Sequence, residues 1–269
     1  MSEISDHVQL QAPSEPAQPP ASPAVAPSSR SGGLLSLQSL AGTVVIAIFV
    51  ITFLVQAFQI PSESMEKTLL IGDYLLVDKA HYGHSRLWSW LMPYRPIRRQ
   101  DIIVFRYPVN PRQHFVKRVI GLPGDHVRLI DKHVYINGVP LNDSYATFNW
   151  AWRDRFRDDF PDGSLYGDRI TSKWYLQAQK LIQDGQLIVP EDSYFVLGDN
   201  RDDSYDSRYW GLVPAENVVG RPLVIYWSMD RESPEALSDP PSDKLSNLTL
   251  NAAHLFNSMR WHRMLRIPQ

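Results

Sequence analysis

The 269-residue chain contains no cysteine. That excludes disulfides, thiolate metal sites and a cysteine nucleophile, and says little about compartment. A dominant charge is also missing. With 27 basic and 29 acidic residues the net charge is −2, so no overall basic field points to nucleic acid. The eight histidines show no H-E-x-x-H spacing. Asp199, Asp202, Asp203 and Asp206 could offer oxygen ligands, but the glycine and glutamate of an EF-hand loop are not at their places. No metal or organic cofactor is therefore expected, and no internal repeat is evident. One absence is local: not one charged side chain lies between Arg30 and Glu63.

What fills that interval is "LAGTVVIAIFVITFLVQAF", Leu40 to Phe58. As a helix it spans about 28 Å, close to a hydrocarbon core of about 30 Å. A buried core helix normally keeps one polar face, and this one has none. "VQAF" faintly resembles a cleavage site, yet the preceding tail is far longer than a signal-peptide n-region. Residues 34–58 are thus expected to be an uncleaved transmembrane anchor. Residues 1–33, rich in Pro, Ala and Ser, bury too little apolar surface to offset their ordering entropy and are expected to be a disordered tail. Arg30 is the only basic residue before the span, whereas Lys67, Lys79, Arg95, Arg98 and Arg99 follow it. Charge alone leans towards a cytoplasmic C-terminal domain.

From Asp73 onward the pattern is that of strands. "DYLLVDKA", "DIIVFRYP", "HFVKRVIGL", "HVRLIDKHVYING" and "DSYFVLGDN" are short runs rich in Val, Ile, Phe and Tyr, bounded by turn signals such as "LPGD". No long helices alternate with them. The expected fold is mainly β: an antiparallel β-sheet domain over 59–230, preceded by one N-terminal transmembrane helix. Residues 143–188 break the rhythm and read as an inserted subdomain with a short helix around Lys173 to Gln183. In 231–269, Leu248, Ala252, Leu255 and Met259 keep helical spacing ahead of Arg260, Arg263 and Arg266. Such a basic amphipathic tail fits a membrane surface or a helix packed on its own domain.

Three constellations could carry chemistry. Ser62 and Ser64 sit just beyond the span, where serines are commonly caps or turn residues. Lys117, in "HFVKRVIGLPGD", shares a strand face with Phe115 and Val119. Facing a core, that amine would be desolvated and could serve as a base at neutral pH; facing solvent, it would be an ordinary strand lysine. "GDNRDDSYDSRYWG", Gly198 to Gly211, is dense in turn formers, carboxylates and arginines, which suits an active-site wall or a solvated turn. "SMEK" also matches the S-x-x-K of penicillin-binding hydrolases, with Lys67 as the partner of Ser64, although S-D-N and K-T-G are missing.

In order along the chain, "PSESM" after an apolar span, "GDYLLVDK", "DIIVFRYP", "KRVIGLPGD" and "GDNRDDSYDSRYWGLVP" resemble the bacterial type I signal peptidases. The resemblance covers about Gln59 to Asp125 and Pro190 to Trp227. It implies a membrane-bound endopeptidase with a Ser64 nucleophile and a Lys117 general base, cutting after small residues at −1 and −3. It further implies that the Ser64 N–H and the Ser62 hydroxyl form an oxyanion hole and that Ser204 orients Lys117. Asp199, Asp206 and Arg208 would brace the loop. Pocket walls are expected among Ile60, Leu69, Leu70, Tyr107 and Val119. The implied partners are secretory precursors and a lipid bilayer, not nucleic acid, and the chain is expected to be a monomer. The resemblance also places the catalytic domain outside the cytoplasm, against the charge count. Two residues depart from the pattern: Glu63 where small residues are usual, and Lys67 where proline is common. A non-catalytic anchored binding or assembly protein is the competing class.

Overall fold

The computed structural model describes residues 30–82, 93–161, 169–230 and 258–269. Most of the expected N-terminal tail, and the helical spacing of Leu248, Ala252 and Leu255, lie outside the described residues. The chain divides into two compact units, Met1–Val45 and Ile46–Gln269. Helix α1, Arg30–Phe49, begins inside the expected tail and carries the uncharged run into a wider π turn, Val50–Leu54. Within it Ser36–Leu54 is long and apolar enough to cross a membrane, and none of its 19 residues is buried. The helical conformation stops there. Val55–Phe58, expected as the end of the anchor, belongs instead to strand β1, Val55–Gln59, antiparallel to β2, Asp73–Asp78. Composition could not separate the two, because "VQAF" is as apolar as the helix before it; a strand partner decides the matter.

The remaining strands are β3 (Ile102–Arg106), β4 (His114–Gly121), β5 (His126–Ile130), β6 (His133–Ile136), β7 (Val139–Pro140), β8 (Ile182–Gln183), β9 (Gln186–Ile188), β10 (Ser193–Leu197), β11 (Val213–Pro214) and β12 (Val218–Ser228). Two sheets result, one ordered β1-β2-β12-β3-β4-β10-β11 and the other β7-β6-β5-β9-β8. Every strand pairing within them is antiparallel. In the first sheet β12, a late strand, lies between β2 and β3. In the second sheet β5 pairs with both β6 and β9, so the stretch from His126 to Pro140 joins the later strands β8 and β9. Helix α2 is the single turn Arg155–Asp158. Helix α3, Ser172–Leu181, lies where a short helix was expected and buries Trp174 and Ala178.

Strand β3 explains why "IIVF" has no polar alternation. Ile102 and Val104 enter one core with Leu75, Val77 and Ile225, while Ile103 and Phe105 enter another with Val119, Val196 and Trp210. A strand covered on both faces reads as a continuous apolar run. Lys117 on β4 stands directly opposite Ile103. Finally, residues 258–269 pack on the domain. Met259 bridges Met229, Leu265 N donates to Ile225 O at 2.8 Å, and Arg263 is only 4% exposed.

Candidate active site

Ser64 is presented by a 3-10 turn, Glu63–Met65, between β1 and β2. Met65 is buried and anchors that turn in the core beside Ile60 and Leu69. Lys117 comes from the middle of β4, where the pleat aims it between Phe115 and Val119 as the alternation predicts. The two meet. Lys117 Nζ lies 2.6 Å from Ser64 Oγ, across 53 residues of chain, and both side chains are buried. A strand lysine pointing to solvent is thus excluded.

Burial is the main cause that lowers the Lys117 amine from 10.5 to about 8. The Asp206 and Asp199 carboxylates pull it back up, and the Arg208 guanidinium pushes it further down. As an ammonium Lys117 donates to Ser64 Oγ. As a neutral amine, present at and above about pH 8, it accepts the hydroxyl proton instead.

Lys67 is no rival. It is exposed, adopts a left-handed φ of 73°, and its side chain has no hydrogen bond or ion pair among the described residues. The short 3-10 turn ends before it, so the one-turn helical spacing that S-x-x-K exploits never forms. Glu63 is exposed at the cleft rim.

Ser62 Oγ is 3.3 Å from Ser64 Oγ, on the cleft wall. Ser204 departs from expectation. Its buried hydroxyl makes no hydrogen bond with Lys117; it sits near the Asp206 carboxylate and helps keep that group ionised. Asp206 caps the short helix α4, Ser207–Trp210, by accepting from Arg208 N. Burial would raise the Asp206 carboxyl, but Arg208, bonded to both its oxygens at 2.8 Å, holds it below the usual range. Asp206 and Arg208 therefore brace their own loop. Asp199 does something the sequence did not disclose. It accepts a two-pronged bond from Arg118, the residue after Lys117, at 2.7 and 2.6 Å, and another from Thr68 Oγ1 at 2.6 Å. Arg118 has no individual sequence signal; only the excess of acid in "GDNRDDSYD" hints at a partner elsewhere.

The loop also presses on the Ser64 turn. Asn200 N donates to Ser64 O at 3.2 Å, and Asn200 Nδ2 donates to Glu66. Gly198 is required here, because a Cβ on it would collide with Ser64 O and with the Ser204 hydroxyl.

A cleft of about 390 Å³ opens on the pair. Phe58, Ile60, Met65, Phe115, Val116 and Tyr205 supply its apolar wall, with Glu63, Asp203 and His114 among its polar residues. Of the expected pocket residues only Ile60 lines it. Leu69 and Val119 are wholly buried core, Tyr107 stacks on Phe115 at 4.4 Å, and Leu70 borders a different hollow.

A family profile described as signal peptidase, peptidase S26, matches residues 35–227. The chain belongs to this family. A signal peptidase I of Leptolyngbya laminosa is 37% identical over 236 residues, covering 84% of this chain and 95% of its own. A signal peptidase I of Pseudomonas fluorescens is 34% identical over 221 residues, covering 76% of this chain and 72% of its own. A solved signal peptidase I from Enterococcus faecalis V583 shares 38% identity over 47% of this chain and 97% of that one, with a TM-score of 0.36. For a signal peptidase the likeness thus extends well beyond the five motifs and takes in the segment between them.

Proposed function

We propose that this signal peptidase removes signal peptides from exported precursors with a Ser64–Lys117 dyad. The observation that carries the mechanism is the 2.6 Å approach of Lys117 Nζ to Ser64 Oγ in a site where burial keeps the amine only weakly basic. The neutral amine removes the Ser64 proton as Oγ attacks the scissile carbonyl. The Ser64 N–H and the Ser62 hydroxyl receive the oxyanion. The new ammonium protonates the leaving amine, the acyl chain stays on Ser64, and the regenerated amine activates the water that releases it.

The cleft runs between the end of β1 and β4, so the precursor binds extended along them, as peptides do at sheet edges. Its modest apolar volume suits the small residues at −1 and −3 of a signal peptide. Residues 34–54 anchor the protein in a bacterial cytoplasmic membrane as a single span. The catalytic domain stands on the extracytoplasmic side, since a large domain can be translocated regardless of its charge. Both dyad residues come from one chain, and a monomer suffices. The test is cleavage of a secretory precursor by wild type, Ser64→Ala and Lys117→Ala. Both variants should be folded and inactive; processing by either one at the wild-type rate would refute the dyad.

A further inference from the structure

Residues 258–269 lie beyond the family match, and no role in the site was expected of them. Their polar groups nevertheless end on both arms of the dyad. On the nucleophile side, Arg263 donates to Asp73 Oδ2 at 2.6 Å, to Asp73 Oδ1 at 3.2 Å and to Thr68 O at 3.0 Å. Asp73, fully buried, also accepts from Leu70 N at 2.9 Å and from Ser228 Oγ at 2.6 Å. Arg260 donates to Ile71 O and to Met229 O. The chain from Thr68 to Asp73, which follows the Ser64 turn, is therefore held by two C-terminal arginines. On the base side, Arg118 Nη2 donates to Gln269 O at 3.2 Å. The arms are joined by Asp199, which takes bonds from both Thr68 and Arg118.

We propose that the C-terminal segment is a working part of the site, with Arg263 as a positioning residue that fixes the Ser64 turn against Lys117. This rests on the proposed dyad. A displacement of about 1 Å in a reacting group can lower turnover by about 100-fold, and Arg263 is the one side chain that bonds both the buried Asp73 carboxylate and the Thr68 carbonyl among the described residues, with Leu70 N, Ser228 Oγ and, at 3.9 Å, Arg260 also reaching Asp73. A slackened turn would also admit water to Lys117 and reduce the desolvation that keeps its amine weakly basic.

The experiment compares full-length wild type, Arg263→Met, Arg263→Lys and Val134→Ala in β6, a core change in the other sheet that serves as a stability control. Melting temperature, kcat, KM and the pH profile of precursor cleavage are measured, and the Lys117 amine is titrated by 15N NMR. The expected result is a kcat at least ten-fold lower for Arg263→Met with KM within about two-fold, an acid limb and an amine titration both moved to higher pH, partial rescue by Arg263→Lys, and no such changes in Val134→Ala at comparable loss of melting temperature. An Arg263→Met protein that melts lower but keeps kcat and the Lys117 titration would overturn the proposal. Should Arg263→Met not fold, Arg260→Met and deletion of Gln269 decide by the same readouts, unchanged values in both again overturning it. The amine titration stands without cleavage, so a wild type that cuts no precursor counts against the proposed function while the positioning role is still judged.

Discussion

Lys117 and Arg118 are neighbours on β4, 4% and 3% exposed, and the fold handles their charges in opposite ways. Arg118 is saturated: the Asp199 carboxylate, Gln100 O and Gln269 O accept from it, and its guanidinium lies 3.9 Å over the Tyr145 ring. Lys117 meets a hydroxyl at 2.6 Å and, among the described residues, no carboxylate within ion-pair distance. The carboxylates that act on it from farther off are each bound to an arginine. Burial with a partner keeps a cation; burial without one makes a base. The alternating faces of one strand deliver both results.

Substitution by Met at each position should separate the two cases. Lys117→Met should lower precursor turnover by about 10²–10⁴ or more, and Lys117→Arg should fare no better, since a guanidinium stays protonated. Yet Lys117→Met should not unfold the protein. In the native state the amine loses its proton near pH 8, in the unfolded chain near 10.5, so the unfolded chain binds more protons in that window and native stability rises with pH across it. Below pH 8 the full penalty of the buried ammonium is present, at most about 3 kcal/mol, and Lys117→Met should relieve part of it in a denaturant titration. Arg118→Met should do the reverse, losing about 3–5 kcal/mol by stranding Asp199. A stable Arg118→Met protein would break the comparison.

A finer test is the pH profile. With Lys117 as base, kcat/KM should drop about ten-fold per pH unit below its acid limb near pH 8. Asp206 raises the Lys117 amine, so Asp206→Asn should move that limb to lower pH; a move upward would contradict the assigned sign. The smallest effect belongs to Lys67→Ala, which should leave kcat/KM within about two-fold, because that lysine is exposed and does not touch Ser64.

The runs seen in the sequence correspond to strands: "DIIVFRYP" holds β3, "HFVKRVIGL" holds β4, and "DSYFVLGDN" holds β10. The approach of Ser64 and Lys117 was legible through motif order, since both sit in segments whose local chemistry is distinctive. Partners were less so. Alternation marks a strand but not its neighbour, so the division of the strands into two sheets was not visible in the sequence. Ion pairs leave no periodic trace, which hid Arg118–Asp199 and Arg263–Asp73. Of the expected cleft wall only Ile60 was found there, for a similar reason. Leu69 and Val119 look no different in sequence from Phe58 and Val116, and only packing decides which face the cleft.

The position of β12 has a consequence for how the molecule is made. Of the strands around the dyad, β1 and β2 carry Ser64 and β3 and β4 carry Lys117, and the sheet joins these hairpins only through β12. Its pairing of Ile225 with Leu75 spans most of the domain in sequence, a long loop to close before any reward arrives. During synthesis, Ser64 and Lys117 both leave the ribosome long before residue 218, but on separate hairpins. The two side chains are thus brought within bonding distance only once β12 has been made and has closed the sheet between them.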